Sequence, residues 1–218
     1  MSDLYGNQHI AMQKSFDTNR LAKEVMSNIV TEEISDGDKM FIESRDMFFL
    51  TTIDHRGYPT CSYKGGHPGF VKVLDSKALI FPNFDGNGMF LSMGNITENP
   101  HIGILFIDFE TPHRVRVHGK ASIHDEPELT DQFVEANLVV KIEVSEIFIN
   151  CPRYIHKYKR LEPSNYVPQA NCQTPLAQWK RIDNLQASLP KRDQHTAKSL
   201  GGTITTEEYI EMVSKGKA

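Results

Sequence analysis

The stretch that decides the fold is Met47-Phe48-Phe49-Leu50-Thr51-Thr52-Ile53, followed by Asp54-His55-Arg56-Gly57 and then by Thr60-Cys61-Ser62-Tyr63-Lys64. Aromatic and β-branched residues fill a pleated, half-buried surface well, so the first run reads as a strand. Asp and Gly supply the tight reversal, and the whole reads as a β-hairpin. Working outward, further strands are expected at Phe70 to Val73, Ala78 to Pro82, His101 to Phe109, Arg114 to Ile123 and Leu138 to Ile149, with turn-rich breaks such as Asp75-Ser76-Lys77. Strands at such short intervals suggest a barrel.

Helices flank and interrupt the sheet. From Thr18 to about Ile34, apolar Leu21, Ala22, Val25, Met26, Ile29 and Val30 recur at three- and four-residue spacing, one face of an amphipathic helix. A short helix capped by Asp36 follows, with Met40, Phe41 and Ile42 leading into the first strand. Within the sheet region, helices are expected from Gly88 to about Glu98 and from Pro127 to Ala136, where Pro127 suits a first turn. Beyond Cys151, Pro152, Pro163, Pro168 and Pro175 predict an extended arm over the surface. Thr205-Thr206-Glu207-Glu208 is a capping box for a last helix with Tyr209, Ile210 and Val213 on its apolar face. The organisation expected is a helical segment over 1–45, a barrel over 46–150, and an arm with a short helix over 151–218.

The 218 residues carry 24 Lys and Arg against 28 Asp and Glu, a net charge of −4, so no general affinity for nucleic acid or anionic membrane is expected. Cys61, Cys151 and Cys172 are odd in number and lack C-x-x-C pairing, which argues against a disulfide framework or zinc site. The acidic and polar N-terminus does not read as a signal peptide, and no run reaches the length of a membrane span. A cytoplasmic location is the expectation, with no metal.

Two loops are rich in glycine: Lys64-Gly65-Gly66-His67-Pro68-Gly69, and Phe84-Asp85-Gly86-Asn87-Gly88, which runs into a helix. Backbone N–H groups at a helix start attract anions, and Lys64 adds a full charge; read alone, the same loops serve equally as hairpin turns. On the strand from Arg114, the residues Arg114, Arg116, His118 and Lys120 point to one face and Val115, Val117, Gly119 and Ala121 to the other. That cationic face is either solvated or turned to an anionic ligand or partner. Nothing in the spacing of Cys61 or of the nine histidines marks a nucleophile triad or a metal site. Trp179 is either an anchor for the arm or a lid over a ring-shaped ligand.

Taken together, Asp46-Met47-Phe48-Phe49-Leu50-Thr51-Thr52, Cys61-Ser62-Tyr63-Lys64-Gly65-Gly66, Phe81-Pro82-Asn83-Phe84-Asp85-Gly86-Asn87-Gly88-Met89, Arg114-Val115-Arg116-Val117-His118-Gly119 and Asn150-Cys151-Pro152-Arg153-Tyr154-Ile155 resemble the pyridoxamine 5'-phosphate oxidase-like family over most of residues 36 to 182. The resemblance implies a mainly β protein with flanking helices, a six-stranded antiparallel split β-barrel that forms a homodimer with FMN in clefts lined by both subunits. It implies FMN contacts at Ser62, Tyr63, Lys64, Phe81, Pro82, Asn83, Asn87 and Gly88, with Arg116 and Arg114 where the family places its Arg-x-Val-Arg-x-x-Gly motif. Trp179 joins them as the lid. The function implied is an FMN-dependent oxidoreductase of an unidentified small molecule; the alternatives are a flavin-binding or redox-sensing protein without turnover, and a haem or deazaflavin binder. Family members that oxidise pyridoxamine phosphate carry Ser-Arg-Lys at the phosphate loop and end in Arg-Leu-x-Pro, whereas this chain has Asp85-Gly86-Asn87-Gly88 and Ser214-Lys215-Gly216-Lys217-Ala218. Vitamin B6 oxidation is therefore not expected, and no catalytic side chain is named.

Overall fold

The computed structural model describes residues 4–217; residues 1–3 and Ala218, the outer ends of the expected helical segment and arm, lie outside the described residues. Seven strands form one antiparallel sheet: β1 (Met47–Ile53), β2 (Pro59–Gly65), β3 (Lys72–Asp75), β4 (Ala78–Asn83), β5 (His101–Asp108), β6 (His113–His124) and β7 (Leu138–Ile149). Their order is β2-β1-β5-β6-β7-β4-β3, and the sheet is open, with β2 and β3 at its two ends. The count of seven corrects the six-stranded barrel that the family resemblance implies. The seven match the seven runs read from the sequence, and the run expected at Phe70 to Val73 forms as the four-residue β3, which pairs only with β4 and carries a register shift between Val73 and Asp75.

The leading hairpin forms as its residues dictate. The Asp54 carboxylate accepts the Arg56 and Tyr58 backbone N–H groups at 2.9 Å each, and the Arg56 guanidinium donates to its second oxygen at 2.6 and 2.9 Å. That side-chain bond holds the Asp54 carboxyl below its usual range. Gly57, at φ 85°, takes the left-handed step that closes the turn. In β1 the alternation then sorts side chains: Phe48, Leu50 and Thr52 are fully buried while Phe49 and Thr51 face the other way.

The core gathers on the Phe48 face. The Phe48 ring lies 5.6 Å from Phe70, 5.0 Å from Phe81 and 5.3 Å from Phe106 between centroids, and none of Phe48, Phe81 and Phe106 is exposed. Ile42, from α3 (Asp36–Glu43), and Met93 and Ile96, from α4 (Leu91–Glu98), join the same cluster.

Between β6 and β7 the register passes from His118↔Glu146 to Gly119↔Val144, leaving Ser145 as a bulge residue. A Cβ at Gly119 would stand 2.4 Å from the Glu143 carbonyl oxygen and 2.9 Å from Ile142 Cγ2. Gly119→Ala is therefore expected to destabilise the chain by about 1–3 kcal/mol in a urea titration, by forcing the bulge apart.

The other helices are α1 (Asn7–Ser15), which the sequence reading did not anticipate, α2 (Asn19–Ile29), α5 (Pro127–Thr130) and α6 (Thr206–Ser214). Four boundaries move, each for a local reason. Helix α2 stops at Ile29 because Thr31 exchanges two hydrogen bonds with Ile147 of β7, at 3.0 and 2.8 Å. The cap of α3 is Ser35, whose hydroxyl accepts the Asp38 N–H; Asp36 is already helical. Helix α4 begins at Leu91, since Gly88 and Phe90 have φ of 78° and 48°, outside the helical region. The left-handed Glu135, φ 55°, prevents α5 from reaching Ala136. The α6 capping box forms as expected, between Thr205 and Glu208.

Backbone contacts divide the chain once, into Met1–Pro163 and Ser164–Ala218. From Cys151 to Ala177 there is no helix or strand. The second unit then holds four short 3-10 helices and α6, buries Ile182, Leu189 and Ala197, and pairs Lys180 with Asp193 at 2.8 Å.

Candidate functional site

Strand β2 is the edge strand, and its alternation sends its residues to two different places. Leu50 pairs with Ser62 and Phe48 with Lys64, so these two side chains share the face that carries the core and α4. There Asn95 of α4 donates to the Thr52 and Thr60 hydroxyls at 3.0 and 2.9 Å, and the Ser62 and Ser92 hydroxyls meet at 3.0 Å. These satisfied polar contacts pin the first turn of α4 over β2. Phe90, at the start of α4, offers no side-chain cap, and the amides of Leu91, Ser92 and Met93 precede the first intrahelical acceptor. They lend that end partial positive charge.

Lys64 lies two residues along from Ser62, about 7 Å at strand spacing. It is half-buried, no carboxylate pairs with it among the described residues, and burial pushes its ammonium below the usual lysine range. Burying a cation without a counter-charge is costly, and a bound anion would remove that cost.

The opposite face of the sheet carries a second set. Across it, Tyr63, Phe49, Leu105, Arg116 and Phe148 stand in one row by strand pairing, and Cys61, Thr51, Gly103, His118 and Glu146 in the next. Arg114, Arg116 and His118 are half-exposed while Val115 and Val117 are buried, the division the alternation predicts. Burial, then the nearby Asp46 charge, raises the Tyr63 phenol above its usual range. His118 Nδ1 meets the Glu146 carboxylate at 2.7 Å. The Arg114 Nε is buried with no hydrogen-bond partner.

Phe81 is fully buried against Phe48 and Pro82 is buried beside it, so to a ligand they can offer only backbone. Backbone is free there on one edge: β3 pairing ends at Ile80, while β7 pairs Phe81 through Asn83 on the other. The Asn83 amide donates to Asn137 Oδ1 at 2.8 Å. Asn87 accepts the Met89 N–H at 3.1 Å, fixing the exposed turn that includes Gly88. Trp179 belongs to the second unit, half-buried on the 3-10 helix Gln178–Arg181, with the Lys180 ammonium 5.8 Å from its ring.

The structure thus brings Ser62, Lys64 and the start of α4 together on one face, and Tyr63, Arg114 and Arg116 on the other. The residues fit FMN in the property that matters most for a dianion, since Lys64 and the Arg114 Nε are cationic groups short of partners. Ser92 and Asn95 were missed in the sequence. Their signal was two polar residues at i,i+3, on one helix face, both of which prove buried. Among the described residues no three His, Cys, Asp or Glu side chains cluster as a metal site, and no helix is long and apolar enough to cross a membrane.

The family profile described as pyridoxamine 5'-phosphate oxidase matches residues 34–151, more than half of the chain. No curated protein matches it. Among solved structures it is similar to HupZ of Group A Streptococcus, with 22% identity, TM-score 0.45, and coverage of 58% of this chain and 99% of that one. General Stress Protein 26 of Bacillus anthracis gives 17% identity, TM-score 0.41, and 50% and 88% coverage. HutZ of Vibrio cholerae, described as a heme storage protein, gives 16%, 0.40, and 53% and 94%.

Proposed function

Because this chain belongs to the pyridoxamine 5'-phosphate oxidase family, we propose that it is an FMN-binding flavoprotein and an FMN-dependent oxidoreductase of a small molecule. The observation that carries this reading is Lys64, a half-buried cation without a carboxylate partner beside the uncapped start of α4. Bound there, FMN supplies the two-electron chemistry, accepting hydride at its ring. The chain supplies the setting. Lys64, Ser62 and the amides of Asn87, Gly88 and the first turn of α4 hold the phosphate. Asn83 and the free backbone edge of Phe81 and Pro82 hold polar ring atoms. Arg116 and Arg114 offset negative charge that develops on the ring.

The same proposal includes a cytoplasmic homodimer with both subunits at each FMN. Strand β5 is apolar on both faces: Ile102, Ile104 and Phe106 are buried, whereas Leu105 and Ile107 remain half-exposed beside Phe49 and Tyr63, and a second copy would cover them. Trp179 is proposed as the lid over the flavin ring.

The purified protein is expected to be yellow, with bands near ~370 and ~450 nm from the FMN chromophore, and to run as a dimer in light scattering. Trp179→Phe at equal occupancy is expected to brighten flavin emission. A Soret band in place of the flavin bands would put haem on this fold instead, and a flavin-bearing monomer would overturn the shared cleft.

A further inference from the structure

The segment Arg153-Tyr154-Ile155-His156-Lys157-Tyr158-Lys159-Arg160 carries four Arg and Lys and one His in eight residues, with no acidic residue from Cys151 to Leu161, in a chain whose net charge is −4. It has no helix or strand of its own, yet it is fixed to the sheet. At one end the Asn150 N–H reaches the Arg114 carbonyl at 3.5 Å. Further on, the Tyr158 N–H donates to the Phe109 carbonyl at 3.1 Å, and the Tyr158 ring meets Phe109 edge-on at 5.5 Å. The Arg160 N–H donates to Glu110 at 3.0 Å, and its guanidinium to Asp46 at 2.5 Å. The Asp46 backbone carbonyl accepts the Gly66 N–H at 2.9 Å, two residues past Lys64. The strap therefore runs along one rim of the sheet, from Arg114 at the start of β6 to the end of β2.

Its anchors and its free cations are different residues. The Arg160 guanidinium is spent on Asp46, whereas Arg153, Lys157 and Lys159 are exposed and pair with no carboxylate among the described residues. The two tyrosines differ likewise: Tyr158 is 61% exposed with its edge held against Phe109, whereas Tyr154 is 87% exposed, with the Arg153 guanidinium 6.0 Å from its ring. An exposed aromatic ring with a guanidinium beside it, followed by two lysines, suits a ligand that offers a flat base and several phosphate charges. A long nucleic acid would meet the same chemistry, but outside the strap the net negative chain repels a polyanion.

We propose that this strap is a binding site for a phosphorylated adenine nucleotide, with Tyr154 under the base, Arg153 on a phosphate monoester, and Lys157 and Lys159 on the remaining phosphate charge. Resting on the flavoprotein reading above, this deepens it: the nucleotide is the adenosine end of a phosphorylated nicotinamide dinucleotide, the hydride donor that reduces FMN. In that half-reaction the C4–H bond of the reduced nicotinamide breaks, its hydrogen and electron pair pass to the flavin, and the nicotinamide is left as the oxidised pyridinium.

The test is calorimetric titration of the full chain with adenosine 2',5'-bisphosphate and, separately, with AMP. Wild type is expected to bind the bisphosphate more tightly than AMP, with affinity falling as salt rises. Arg153→Gln and the pair Lys157→Gln, Lys159→Gln are each expected to weaken the bisphosphate by about tenfold or more, with far-ultraviolet circular dichroism and flavin content unchanged. No binding by wild type, equal binding by the variants, or tighter binding of an oligoadenylate RNA than of the bisphosphate would overturn the nucleotide site. Protein that binds the bisphosphate but carries no flavin would leave the site standing and remove the flavoprotein reading and, with it, the role of hydride donor.

Discussion

Phe48→Ala is expected to lower the unfolding free energy by about 3–5 kcal/mol, a large share of the about 5–15 kcal/mol that holds a typical domain. The reason is position. Phe48 is fully buried, and its ring touches Phe70 from the β2–β3 loop, Phe81 from β4 and Phe106 from β5, so its loss opens a cavity where three segments converge. Phe81 and Phe106 belong to strands at different places in the sheet and Phe70 to a loop, so the three cannot all relax inward together. Phe49 is the control. It lies next in sequence but on the opposite, half-exposed face against Tyr63, at 6.2 Å, and Phe49→Ala should cost much less in the same urea titration. Equal losses would mean that the β1 register is wrong by one residue.

That contrast also shows what the sequence could and could not reveal. The alternation in Met47–Ile53 and in Arg114 to Ile123 assigns faces correctly because period-two burial is a local property of a strand. Position 119 is different: that glycine is required by a carbonyl 24 residues away, and only the bulge at Ser145 brings the two together. Helix ends failed for the same reason. Thr31 left its helix for a partner on β7, and Phe90 adopted φ 48°, neither of which is encoded in helical periodicity. At the candidate site, Ser62 and Lys64 were legible as residues, and the sequence alternation separates them from Tyr63. What was not legible was α4 lying over β2, because the Ser62 to Ser92 contact spans 30 residues. The cations of the strap were visible in composition, but which of them is spent on Asp46 depends on where the chain crosses the rim.

Lys64→Met is expected to separate stability from function. Burial lowers the Lys64 pKa from the ordinary lysine value of 10.5. Between the folded and unfolded values the unfolded chain binds more protons, so stability rises with pH in that window. Lys64's contribution is fully present above the unfolded value and is lost as pH falls through the folded one. At neutral pH, then, the Lys64 charge opposes folding. Replacing it with Met, of similar length and no charge, should leave the melting temperature of the FMN-free protein equal or higher. FMN should tell the opposite story: losing one charge-assisted contact to the phosphate, about 1.5–3 kcal/mol, weakens binding by roughly tenfold to a hundredfold in a flavin fluorescence titration. Lys64→Ala combined with Asn87→Ala should weaken it further, since Asn87 also fixes the turn that presents the Gly88 amide. Lys64→Arg, which keeps a cation at the position, should retain most of the affinity. If Lys64→Met holds FMN as tightly as the wild type, the phosphate does not sit at the start of α4, and the cationic face of Arg114 and Arg116 becomes the place to look for it.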